Sequence, residues 1–137
     1  MVPFSYIDIV SLTKQSAARN RQYEVTGYLC YSNNTFFQYI EGEKPVVNRL
    51  LHQLREDKRH RFIAEVASDN HDVRLFSSWA MKYLTCSDLT EVHLDGFVSN
   101  SILYLKDNFS DKGIKLRLLW RQVMLISQMH DAHLARI

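Results

Sequence analysis

Residues 25–42, VTGYLCYSNNTFFQYIEG, constrain this chain more than any other stretch. Two short apolar runs flank a polar tip, Ser32-Asn33-Asn34-Thr35, which is the pattern of a β-hairpin. The period of two sorts its side chains. On the second strand Phe36, Gln38 and Ile40 point to one face, and Phe37 and Tyr39 to the other. On the first strand Val25, Gly27, Leu29 and Tyr31 share a face, and Tyr28 and Cys30 take the opposite one. Both faces are therefore partly apolar, and each needs a cover. Gln38 is an uncharged amide among large apolar groups. Unpaired, a buried amide costs roughly 1–3 kcal/mol, so Gln38 either ties two elements together or faces a ligand. Gly27 weakens a strand interior unless another group approaches it closely.

The rest of the chain, taken from N-terminus to C-terminus, supplies candidate covers. Ser5 suits an N-cap for a helix over 6–21. Tyr6, Ile9, Val10, Thr13 and Ala17 make one face of it, and Asn20 falls near that face at the C-terminal end. Asn20 reads either as a helix terminator or as an amide beside the hairpin. Gly42 closes the hairpin, and Pro45 suits the first turn of a second helix with the stripe Val46, Val47, Leu50, Leu51, Leu54. The tail Asp57-Lys58-Arg59-His60 reads either as cations complementing the helix dipole or as donors beside a planar polar ligand. Residues 62–68 and 74–84 read as strands, the latter with Trp79, Met81 and Tyr83 on one face. Beyond Thr85 the pattern turns helical. Ser87 or Asp88 is the expected cap of a short helix, residues 98–106 form another, and 115–134 a longer one with the stripe Leu116, Leu119, Trp120, Val123, Ile126. That stripe is expected to cover the hairpin face carrying Tyr28, Phe37 and Tyr39.

Composition excludes several function classes. The chain has 137 residues, 46% hydrophobic and 23% charged, enough for a packed core. A net charge of +2 gives no argument for nucleic acid or an anionic membrane. No apolar run approaches the ~18 residues of a membrane span, and no signal segment follows Met1. The two cysteines, Cys30 and Cys86, form no CxxC, which fits a reducing cytoplasm and argues against zinc. Phosphate-binding glycine motifs and HExxH are missing. His130 and His133 are three apart but lack a convergent third ligand, and are expected at the surface. Asp8 and Glu41 offer no acid/base pair. The sequence does not read as an enzyme.

Three blocks in order, SAARNRQYEVTGYLCYSNNTFFQYIEG, EDKRH and RLFSSWAMKYL, resemble the BLUF family of flavin-based blue-light sensors. The resemblance covers roughly residues 6–84 and implies an α+β, ferredoxin-like fold with FAD between two helices over one sheet face. It divides the chain into a BLUF-like flavin-binding domain, 1–86, and a C-terminal helical cap, 87–137. It maps Asn20 and Gln38 onto amide contacts to the polar edge of the flavin, and Arg59 onto a ring-carbonyl donor with Asp57 and His60 beside it. Arg19 falls at the variable position before the asparagine. Trp79 and Met81 fall on the last strand of the family sheet, whose position responds to light. In the family a tyrosine on the first strand gives an electron and a proton to the excited flavin, and the glutamine then rearranges. The residues before Tyr6 are too few for that strand. The expectation is an αββαββ order lacking the first strand and its tyrosine, hence weak flavin retention and an impaired photocycle. The implied function is a cytoplasmic photoreceptor acting through a downstream regulatory protein, without nucleic acid or membrane, and compatible with a homo-oligomer. Two other readings stay open: a flavin-free interaction module on the same scaffold, and a small ferredoxin-like hydrolase, for which no phosphate loop is found.

Overall fold

The computed structural model describes residues 5–32, 35–57, 73–91 and 112–135. The order is α1 (Tyr6–Gln22), β1 (Thr26–Ser32), β2 (Thr35–Glu41), α2 (Lys44–Glu56), β3 (Lys82–Leu84), α3 (Cys86–Glu91) and α4 (Lys112–Ala135). It is an α+β, ferredoxin-like arrangement. The expected strand over 62–68 and helix over 98–106 lie outside the described residues.

Helix α1 starts as its sequence dictates. Ser5 Oγ accepts from the Asp8 N–H at 3.1 Å, and the Asp8 carboxylate accepts from the Ser5 N–H at 3.0 Å, a reciprocal capping box. These bonds hold the Asp8 carboxyl below its ordinary pKa. The buried face is Ile9, Ala17 and Asn20. Tyr6, expected on it, is exposed in the first turn of the helix, with its ring 6.4 Å from that of Tyr83. At the other end the Val25 N–H bonds back to the Asn20 carbonyl at 2.9 Å, and Glu24 takes a left-handed φ of 56° to turn the chain into β1.

The hairpin forms in the register that its alternation requires. Leu29 opposes Gln38, Cys30 opposes Phe37, and Tyr28 opposes Tyr39. Gly27 has a φ of 154°, and a Cβ there would collide with the Tyr39 carbonyl, so the close approach implied by a glycine in this strand is real. The sheet order is β2-β1-β3, with β3 parallel to β1.

The two hairpin faces feed two cores. One contains Tyr28, Cys30, Phe76, Trp79, Leu84 and Leu89, closed by Val123 and Ile126 of α4, with Phe37, Tyr39 and Trp120 packed against it. The Tyr39 and Trp120 rings lie 6.5 Å apart. The C-terminal helix thus covers the face that the sequence assigned to it. Each large side chain buried there contributes about 1.5–3 kcal/mol. The second core is smaller: Ala17, Leu29 and Met81, with Phe36, Ile40 and Ala80. Helix α2 has its expected stripe, yet only Leu50 of it is fully buried.

Two local expectations are corrected. The strand over 74–84 shrinks to Lys82–Leu84, because a turn (Trp79 N–H to Phe76 carbonyl, 3.0 Å) breaks its alternation. Trp79 and Met81 therefore enter opposite cores instead of sharing a face. The cap of the short helix is Thr85, which exchanges bonds of 2.8 and 3.1 Å with Asp88.

Candidate functional site

Two side-chain amides meet one short segment beneath α1. Asn20 is fully buried at the last turn of α1, and its Nδ2 donates to the Ala80 carbonyl at 2.7 Å. Its Oδ1 is buried and has no hydrogen-bond partner among the described residues. One residue further along, Met81 Sδ lies 3.9 Å from Gln38 Nε2, a weak acceptor at a long distance. Ala17, Leu29, Phe36 and Ile40 make the apolar surround. The pair therefore holds one unfilled buried acceptor and one loosely engaged donor. Leaving the first unfilled costs about 1–3 kcal/mol. Such a pair fits a ligand edge on which N–H and C=O groups alternate.

The other sequence-derived positions fall as follows. Arg19 is half-buried in the last turn of α1, directly before Asn20. Asp57 is half-buried and ends α2, with its N–H on the Leu54 carbonyl at 3.3 Å. Arg59 and His60 lie outside the described residues. Trp79 is on the far side of the sheet from Gln38, stacked on Phe76 at 5.5 Å, and only its carbonyl returns to the hairpin, accepting the Gly27 N–H at 2.8 Å. Asn20, Gln38 and Met81 are brought together; Trp79 is not.

Two residues that sequence reasoning passed over carry this geometry. Glu41 fixes the segment after Val73. Its carboxylate accepts the Leu75 N–H at 3.0 Å, the Phe76 N–H at 2.8 Å, the Thr26 hydroxyl at 2.7 Å and the Tyr39 hydroxyl at 3.3 Å. Arg74 closes the group through Thr26 Oγ1 at 3.2 Å and the Glu41 carbonyl at 3.4 Å. The signal was the period of two, which puts Glu41 on the face of Phe37 and Tyr39. His130, expected at the surface, is buried. Its Nε2 meets Ser78, and its ring lies edge-on to Trp79 at 5.2 Å. The stripe through Val123 and Ile126 continues at helical spacing to position 130, which was the available signal. No metal-binding group of His, Cys, Asp and Glu occurs among the described residues.

Burial raises the pKa of the Tyr28 phenol well above its ordinary value, with Cys30 and Tyr39 adding to it. Burial also raises that of Tyr39, helped by the Glu41 carboxylate. These two rings stack at 5.5 Å under α4. Of the hairpin tyrosines, Tyr31 alone shares the Gln38 face, 4.7 Å from Phe36.

A small α+β sheet thus carries, beneath its first helix, a buried asparagine with one unfilled acceptor and a half-buried, loosely engaged glutamine. The family model for sensors of blue-light using FAD matches residues 2–82, and the chain belongs to this BLUF family. It is 36% identical over 76 residues to photoactivated adenylate cyclase subunit alpha of Euglena gracilis, a match covering 56% of this chain and 8% of that protein. The chain thus spans only a small part of the curated relatives it matches. Among solved structures, the photo-activated state of BlsA is 28% identical, with a TM-score of 0.63, over 87% of this chain and 81% of that one. The dark-state structure of the BLUF protein BlrB shares the fold at a TM-score of 0.68 and 23% identity, over 93% of this chain and 89% of that one. Members of the family are flavin-binding blue-light sensors. No helix among the described residues is long and apolar enough to cross a membrane.

Proposed function

We propose that the chain is a blue-light sensor unit that binds FAD on the α1 side of the hairpin and acts through a partner protein. The observation that carries the reading is the buried, unfilled Oδ1 of Asn20 beside the loosely held amide of Gln38. The oxidised flavin ring supplies an N–H flanked by two carbonyls, together with absorption of blue light. Asn20 Oδ1 would accept that N–H while its Nδ2 stays on Ala80. Gln38 would leave the Met81 sulfur for a ring acceptor, which is a stronger partner than a thioether. Arg19, Asp57, Arg59 and His60 would line the outer polar rim, and α2 with its half-buried stripe would cover the other side of the ring.

Residues 1–86 would form the flavin unit and 87–137 a cap over the opposite face, with no catalysis of its own. The cyclase subunit matched above is a precedent for a light-sensing unit tied to an output. In this chain the output would be borne by a separate or further-encoded regulatory protein. The test is the light-minus-dark absorption spectrum of flavin-loaded protein. Any light-induced red shift is expected to vanish in Gln38→Leu while flavin remains bound, since the apolar face survives and the amide does not. A normal shift in that variant would remove Gln38 from the role.

A further inference from the structure

We propose that the cleft between the end of α1, the start of β1 and the 74–80 segment binds a small phosphorylated sugar, at a site separate from the Asn20–Gln38 pair. The cleft is open and holds about 460 Å³, within the range of small-ligand sites. Its polar lining is Arg21, Glu24, Thr26, Arg74, Ser77 and Ser78. Thr26 opposes Glu41 on the hairpin face of Tyr28 and Tyr39, and Gln38 belongs to the alternate face. Arg74 is bonded to that same Tyr28 face through Thr26, and Ser78 through His130 of α4.

The donors of this cleft are held in place but not used up. Arg74 is half-buried, and Nη1 donates to Thr26 Oγ1 at 3.2 Å and to the Glu41 carbonyl at 3.4 Å. Its other guanidinium nitrogens, and the whole Arg21 guanidinium, make no bond among the described residues. Ser77 and Ser78 are the central residues of a turn closed by the Trp79 N–H on the Phe76 carbonyl at 3.0 Å. The N–H groups of Leu75 and Phe76 go to Glu41, and that of Ser78 to His130. Within 75–79 the Ser77 N–H is therefore the one backbone donor without a partner among the described residues, and Ser77 is exposed. The Glu41 carboxylate is engaged by two N–H groups and two hydroxyls and does not line the cleft. Two guanidinium forks, a backbone N–H and a serine hydroxyl form a donor set suited to phosphate oxygens. Glu24 selects what the phosphate is attached to. A left-handed φ of 56° brings this exposed residue to the cleft. A carboxylate only accepts, so it repels bare phosphate and favours a ligand with hydroxyl donors beside its phosphate. No aromatic ring for base stacking is among the described lining residues. The recognised part is thus the sugar phosphate, whether free or within a nucleotide.

The test is an amide NMR titration of the full 137-residue chain without flavin, using ribose 5-phosphate, AMP, inorganic phosphate and ribose as separate probes. Ribose 5-phosphate should give saturable shifts at residues 21–26 and 74–80, and ribose none. AMP should bind within about threefold of ribose 5-phosphate, because a stacked base would add about fivefold or more. Arg21→Gln should weaken ribose 5-phosphate about tenfold, and Ser77→Ala about threefold. Glu24→Gln should weaken ribose 5-phosphate and tighten inorganic phosphate, whereas a mere cationic patch would bind both more tightly. All three positions are exposed, so the fold is not at stake. Saturating FAD should leave the ribose 5-phosphate affinity unchanged. No saturation by about 10 mM, shifts confined to other parts of the chain, or unchanged affinity in Arg21→Gln would each overturn the proposal. So would AMP bound fivefold or more tightly, both probes tightened by Glu24→Gln, or displacement by FAD. A failure of FAD itself to bind would count against the flavin reading only.

Discussion

Replacing Glu41 with glutamine tests what holds the irregular segment against the hairpin. The carboxylate has two oxygens, and each accepts one backbone N–H and one hydroxyl. Glutamine turns one oxygen into an NH2 group, which then faces the N–H of Leu75 or Phe76, donor against donor. The hydroxyls of Thr26 and Tyr39 can rotate to accept, but a backbone N–H cannot. One stranded N–H costs about 1–3 kcal/mol, and the other bonds lose their charge assistance, worth about 1 kcal/mol more. The expected loss is about 2–4 kcal/mol. With a urea m-value of about 1–3 kcal/mol/M, the midpoint should fall by roughly 1–2 M at unchanged slope. Near-ultraviolet circular dichroism should report looser packing of Phe76 and Trp79. A midpoint within about 0.3 M of wild type would refute the reasoning, since it would mean that water or another acceptor already serves those N–H groups.

Other substitutions and conditions follow the same logic. Gly27→Ala should prevent stable hairpin closure, because its Cβ meets the Tyr39 carbonyl at a left-handed φ; a cooperative melt within a few degrees of wild type would contradict this. Alkaline titration should show that Tyr28 and Tyr39 ionise only on unfolding. Their folded pKa values are raised, so their contribution is full below the unfolded value of about 10 and is lost as pH rises beyond it. Phenolate absorbance that appears in full while the fold persists would show that these rings are open to solvent.

The hairpin, the facing of its side chains and the helix that covers it were legible because they rest on periodicity, which is a local property of sequence. Asn20 and Gln38 stood out for a related reason, as amides at positions where the period demands apolar groups. Glu41 and His130 were not legible as anchors. Their partners are the backbone N–H groups of Leu75, Phe76 and Ser78, and any residue but proline at those positions offers the same donor. Only the tertiary approach of an irregular segment selects them. The same segment explains the misread strand. Arg74 to Met81 alternates like a strand, but Glu41 takes the Leu75 and Phe76 N–H groups and Phe76 turns back on Trp79. Alternation in sequence thus produced side chains in two different cores.

The central claim is that the Asn20–Gln38 pair receives a flavin ring. Titration of apoprotein with FAD, followed by flavin fluorescence and absorption, tests it most directly in wild type, Asn20→Ala and Gln38→Leu. Saturable binding in wild type is expected, weakened about 2- to 12-fold by Asn20→Ala, the equivalent of one hydrogen bond of 0.5–1.5 kcal/mol net. No saturable binding to folded wild-type protein, or the same affinity in all three, would contradict the account.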